Sequence, residues 1–155
     1  MTADFINPFL LSTISVFEQM LRVQIVREAP YIRKDFAPQH EITGMVGLTG
    51  KTTGAVAVSL QDLMGLAITE RLRGERPSGV NGQVVDAIGE VTTMIAAAAK
   101  THLEYLELCV GMPTVVLGRT TRIAFPSRLK PISIPFGSPL GPLVVEVGLL
   151  VNHLD

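Results

Sequence analysis

Tryptophan is absent from this chain of 155 residues and tyrosine occurs only twice, so it has no aromatic platform on which bases could stack. Its single cysteine, Cys109, excludes an internal disulfide and fits a reducing compartment. Neither sign of charge prevails: 13 Lys and Arg stand against 14 Asp and Glu, for a net charge of -1. There is accordingly no electrostatic case for nucleic acid or an acidic membrane as partner. Long apolar runs are missing as well. The longest, Met94 to Ala99, falls far short of the ~20 residues of a membrane-spanning helix. Met1-Thr2-Ala3-Asp4-Phe5 carries no basic stretch leading an apolar one, so no secretory signal is expected and the cytoplasm is the expected location. His40, His102, His153 and Cys109 lack ligand-like spacing, so neither a metal nor another cofactor is expected in the chain.

Hydrophobic residues make up 47% of the chain and charged ones 17%, a composition that folds rather than stays disordered. The length suits a single domain, residues 1–155, with a core of its own. The clearest periodicity runs from Gln83 to about Glu107, with Asn81 as cap. At ~100° per residue, Val84, Ile88, Val91, Ile95, Ala98 and Leu106 share one stripe, the side expected to be core. Asp86, Glu90, Thr93, Ala97, Lys100 and Glu104 lie opposite. Glu90 and Thr93 stand one turn apart, bordered by Gly89, Ala96 and Ala97, which are too small to hold another molecule off. Asp86, Gly89 and Ala97 are therefore candidate partner contacts around the Glu90–Thr93 pair. On pattern alone, a solvated face using alanine for helix propensity remains the simpler reading. His102 falls on the apolar stripe and reads as a core histidine, and Cys109 as a buried thiol.

Asn7-Pro8 suggests the start of a first helix, with Leu10, Ile14, Phe17 and Leu21 inward and an end near Arg22 to Gln24. The proline-marked stretch Glu28 to Pro38 reads as an extended connection or edge strand. Ile42 to Leu48 and Gly54 to Leu60 have the pattern of paired strands, with Thr49 to Thr53 between them. A short helix is expected over Asp62 to Arg73, stopped by Gly74. Strands are expected at Thr114 to Leu117, Arg122 to Phe125, Ile132 to Phe136 and Leu143 to Val151, the last two joined by the turn residues Gly137 to Pro142. Together these elements imply an α+β domain, helices packed on a largely antiparallel sheet. Gly47-Leu48-Thr49-Gly50-Lys51-Thr52 resembles the end of a P-loop, but Met45 replaces the first glycine and the chain runs on into a strand, not a helix. Arg119, Arg122, Arg128 and Lys130 form a stretch without acids, read as a solvated face. A small-molecule pocket between sheet and long helix finds no polar cluster to support it.

The segment Val85-Asp86-Ala87-Ile88-Gly89-Glu90-Val91-Thr92-Thr93-Met94-Ile95 resembles the signature helix of the CheX proteins, within the CheC/CheX/FliY family of bacterial chemotaxis. Phe5-Ile6-Asn7-Pro8-Phe9, Gly44 to Gly50, Gly54 to Val58 and Pro113 to Gly118 match in kind and order. The resemblance implies the two-layer CheC-like fold and a homodimer formed by pairing at a sheet edge, for which the apolar C-terminal strand looks suited. It also implies removal of phosphate from a phosphorylated CheY-type response regulator, with Mg2+ carried by that partner. In the family an acid and an asparagine three residues later form the site. Glu90 matches the acid, and Thr93 stands where the asparagine is expected. The resemblance gives the acid a lysine of the regulator to engage and the carboxamide an attacking water to orient. Threonine is shorter, and its hydroxyl tends to bond back to the preceding turn. Two outcomes follow: a phosphatase using Glu90 and a water held near Thr93, or a module that docks or sequesters a regulator with little hydrolysis. A second acid–asparagine pair on the first helix is missing, because Leu21 follows Glu18 three positions on.

Overall fold

The computed structural model describes residues 3–33, 38–119 and 131–151. Helix α1 (Ala3–Met20) opens the chain, and two short strands, β1 (Val26–Arg27) and β2 (Tyr31–Ile32), follow it. The hairpin β3 (Ile42–Thr49) and β4 (Thr52–Leu60) leads into α2 (Asp62–Arg73) and α3 (Gly82–Lys100). A 3₁₀ turn (Glu104–Leu106), β5 (Cys109–Val110), β6 (Thr114–Leu117), β7 (Ile132–Gly137) and β8 (Leu143–Val151) complete it. The eight strands form one sheet in the order β1-β7-β8-β4-β3-β5, with β2 also on β7 and β6 also on β3. Every pairing is antiparallel. Gly47 to Thr52 spans the end of β3 and the β3–β4 turn, a hairpin rather than a phosphate loop.

Register explains why one sheet face takes the helices. Ile42, Leu60 and Leu143 line up across three strands, as do Val46, Val56 and Val147. The strand pleat sends these aligned residues to the same side. All of them are buried in one cluster with Phe9, Phe17, Ile88 and Ile95 of the helices. The opposite face carries the alternate residues, and several are polar. Thr43 and Ser59 hydrogen-bond each other at 3.0 Å, and Ser59 Oγ accepts from His40 N. Glu146 is only 2% exposed there; Ser133 Oγ donates to it at 2.8 Å and Arg33 lies 3.5 Å away. Burial, more than these partners can offset, pushes the Glu146 carboxyl above its ordinary value.

Several expectations need correction. Helix α1 begins at Ala3, ahead of Asn7-Pro8, so Pro8 lies inside it. Phe5 and Ile6 pack on the core, which outweighs the one backbone bond proline cannot donate. Helix α3 stops at Lys100 rather than near Glu107. Leu103, Leu106 and Leu108 are all buried, and their spacing fits no single helical stripe. The chain tightens instead: His102 N bonds to Ala99 O and Leu103 N to Lys100 O, each at 3.0 Å. Lys51 N then ties Leu106 O to the β3–β4 turn at 2.8 Å. As a result His102 and Cys109, both expected to be buried, are exposed.

The C-terminal strand is not an edge either. β8 pairs with β4 along its whole length on one side and with β7 over Leu143–Val147 on the other, so most of it lies inside the sheet. Among the described residues the borders are β1 with β2 on one side, and β5 with β6 on the other. The expected strand Arg122 to Phe125 and most of the basic stretch beginning at Arg119 lie outside the described residues.

Candidate functional site

Asn81 starts α3 as a cap should: its Oδ1 accepts from Gln83 N at 3.0 Å and Val84 N at 3.2 Å. Val84, Ala87, Ile88, Val91, Ile95 and Ala99 are then fully buried. The helix lies against β3 at Gly44, where an added Cβ would stand 2.3 Å from Thr92 Oγ1. That contact leaves no space for a ligand between sheet and helix at this point. Thr92 turns its hydroxyl onto Ile88 O at 2.8 Å, so a buried polar group is satisfied within the helix.

The opposite face is open. Asp86, Glu90, Ala97 and Lys100 are exposed and Thr93 is half-buried. Ala97 also borders a depression formed with Lys100, Thr101, Glu104, Glu107 and Leu108. Gly89 and Ala96 are different: both are buried. A Cβ at Gly89 would meet Pro113 Cβ and Cγ at 3.4 Å, an ordinary contact, so this position is covered by the chain's own approach to β6. Glu104 follows the helix end and belongs to the 3₁₀ turn rather than to the face.

Glu90 and Thr93 are therefore brought together on α3, but neither is idle. Thr93 Oγ1 donates to Gly89 O at 2.9 Å, one turn back. The hydroxyl proton is committed, and the oxygen is left as an acceptor only. Glu90 Oε2 accepts from Arg73 Nη2 at 2.5 Å. Sequence reasoning did not find this pair. The two residues lie 17 positions apart on separate helices.

How α2 is held explains the geometry. Arg71 Nη1 reaches the carbonyls of Leu21 and Arg22 at 3.2 and 3.3 Å, tying the end of α2 to the end of α1. Gly74 ends α2 with φ 85, and its N–H returns to Glu70 O. Arg73, between these two constraints, projects toward α3. With side chains 40% and 49% exposed, the Arg73–Glu90 pair contributes only ~0.2–1 kcal/mol. Among the described residues no group of three or more His, Cys, Asp or Glu could hold a metal ion, and no helix is long and apolar enough to cross a membrane.

Comparison with known proteins gives a consistent result. The sequence model of the family described as "Chemotaxis phosphatase CheX" matches residues 42–137. A CheC-like superfamily protein from Shewanella sp. PV-4 is 30% identical, with a TM-score of 0.86 over 96% of this chain and 99% of its own. The chemotaxis protein CheX from Vibrio vulnificus is 31% identical, with a TM-score of 0.84 over 95% and 99%. CheX of Borrelia burgdorferi, solved in a complex with CheY, BeF3 and Mg2+, shares the fold at 22% identity, with a TM-score of 0.81 over 96% and 99%. Comparison with curated protein sequences gave no match.

Proposed function

The chain belongs to the CheX family, and on that footing we propose that it acts on a phosphorylated receiver domain of the CheY type, docking through the open face of α3. The observation that carries this reading is Glu90, half-exposed on a helix face otherwise kept low by Thr93 and Ala97. A carboxylate so placed can enter a neighbour's shallow pocket and meet a lysine there. Its contact with Arg73 uses Oε2, which leaves Oε1 to accept the incoming ammonium. The Borrelia complex supports CheY as the class of partner.

Hydrolysis of an aspartyl phosphate asks little covalent help from this protein. Water must be placed in line with the phosphorus, and charge on the equatorial oxygens must be stabilised. Glu90 anchors the receiver, Thr93 Oγ1 accepts a hydrogen bond from the water, and Asp86 and Ala97 border the contact. The Mg2+ of the reaction resides in the receiver. Such a substrate places the protein in the cytoplasm. The homodimer in this reading pairs two copies along β6, supported by the exposure of Leu117 on that strand (50%) and of Met112 beside it (88%).

The test is phosphate release from a panel of phosphorylated receivers. The protein should speed loss of phosphate from a cognate receiver, and Glu90→Ala should abolish the effect. No acceleration with any receiver of the source organism would remove the phosphatase reading.

One observation favours a second reading. Because the Thr93 hydroxyl is turned back onto Gly89 O, docking chemistry is better preserved than water placement. In that case the protein binds or sequesters a phosphorylated receiver and hydrolyses it slowly. Phosphorylation-dependent binding with little turnover is the result that selects it.

A further inference from the structure

The docking face contains one charged group to which the family pattern gives no task. Arg73 arrives from α2, sets Nη2 against Glu90 Oε2 at 2.5 Å, and stays 40% exposed. Its other guanidinium N–H groups have no partner among the described residues. Resting on the receiver-docking reading above, we infer that Arg73 is the anion-recognising member of this site, the donor that meets the phosphoryl oxygens of the docked partner.

The argument starts from what a carboxamide does and what threonine cannot do. An asparagine side chain offers both an acceptor, for a proton of the attacking water, and an N–H donor for a phosphoryl oxygen. Thr93 keeps only the first function, because its one proton lies on Gly89 O at 2.9 Å. The donor function is therefore vacant on α3, and the nearest cation to Glu90 on the face is Arg73. A guanidinium suits the task better than an ammonium. Its planar fork can rest one N–H on a carboxylate and turn others to a phosphoryl group. Glu90 then does two things at once, receiving the partner's lysine on one oxygen and aiming Arg73 with the other.

The reaction balances without any further reagent. Water oxygen bonds to phosphorus as the P–O bond to the aspartyl carboxylate breaks with its electron pair. The products are a carboxylate and a phosphate that keeps both protons of the water. In the loose transition state negative charge is spread over the three phosphoryl oxygens, and Arg73 stabilises it there. The neighbouring Arg76, paired with Glu70 at 3.4 Å, is equally exposed but belongs to the α2 side rather than to Glu90. It is the natural control for a general effect of surface charge.

The test compares wild type, Arg73→Ala, Arg73→Lys and Arg76→Ala in two measurements on the receiver panel. One is single-turnover phosphate release at saturating enzyme. The other is the ratio of affinities for the phosphorylated and unphosphorylated receiver. Arg73→Ala should lower the rate by about tenfold or more and shrink the affinity ratio, with binding of the unphosphorylated receiver nearly unchanged. Arg73→Lys should restore part of both, and Arg76→Ala should match wild type. If wild type is slow, the affinity ratio alone decides. Wild-type values in Arg73→Ala, or an equal loss in Arg76→Ala, overturn the assignment while leaving the docking reading in place. A wild-type protein that neither hydrolyses nor distinguishes any phosphorylated receiver overturns both, and shows it before a variant is made.

Discussion

Thr93→Asn is expected to raise phosphate release from a cognate receiver by roughly 100-fold while leaving receiver affinity little changed. The magnitude follows from reach. Thr93 Oγ1 lies back along the helix, donating to Gly89 O at 2.9 Å. A carboxamide extends about one bond, ~1.5 Å, further from the backbone, and misplacing an in-line water by ~1 Å costs on the order of 100-fold. That factor equals ~2.7 kcal/mol of barrier. Thr93 is only half-buried, and Ala97 one turn on is exposed and small. Threonine and asparagine have similar helix propensity, so stability should move by no more than about 0.5 kcal/mol. The assay is stopped-flow loss of receiver phosphate at saturating enzyme, with affinity measured separately by titration. A wild-type protein that is already fast, and that Thr93→Asn does not accelerate, would refute the argument from reach. So would a gain that appears only as tighter binding.

Two further outcomes test the scaffold beneath the site. Gly44→Ala should destabilise the protein by about 1–3 kcal/mol, because its Cβ would meet Thr92 Oγ1 at 2.3 Å and Ile88 O at 3.3 Å. At ~2–4 °C per kcal/mol, Tm should fall visibly. Adding Thr92→Ala should recover part of the loss, and an unchanged Tm in Gly44→Ala would mean that α3 does not lie directly on β3. Glu146 gives a pH signature of unusual sign. Burial raises its carboxyl pKa in the folded state, so between the ordinary carboxylate value and the raised one the native protein binds more protons than the unfolded chain. Its contribution to stability is therefore complete at low pH and is lost as pH climbs through that window. Urea midpoints measured against pH should show this decline in wild type and not in Glu146→Gln, and parallel curves would contradict it.

Much of the fold was legible because burial imposes a period. The 3.6-residue stripe of Val84, Ile88, Val91 and Ile95 is fully buried, and Glu90 and Ala97 opposite are exposed. Strands β6 and β8 and helix α2 fall at the expected residues, with Gly74 ending the helix. What failed were readings of apolar character as continuation. Leu106 is buried, yet through a 3₁₀ turn that ends with Glu107 at φ 50, not through a longer helix. β8 is apolar because most of it is central, buried on both faces and, over Leu143–Val147, paired on both edges, and the same composition had suggested a free edge. Gly89, beside Glu90, is buried next to Pro113 of the same chain, a neighbour that its position in the helix did not reveal.

The division at the site has a physical cause. Chain order alone puts Glu90 and Thr93 on one helix face, because i and i+3 are neighbours on any α-helix. The turning back of Thr93 is equally local, since a threonine hydroxyl reaches the carbonyl one turn before it wherever the helix goes. Arg73 is another matter. Its meeting with Glu90 requires α2 to be tied by Arg71 to the end of α1, turned at Gly74 and laid beside α3. No period in the sequence encodes that arrangement. It arises only when three helices settle on one sheet, and it puts a guanidinium beside Glu90, the acid one turn before Thr93.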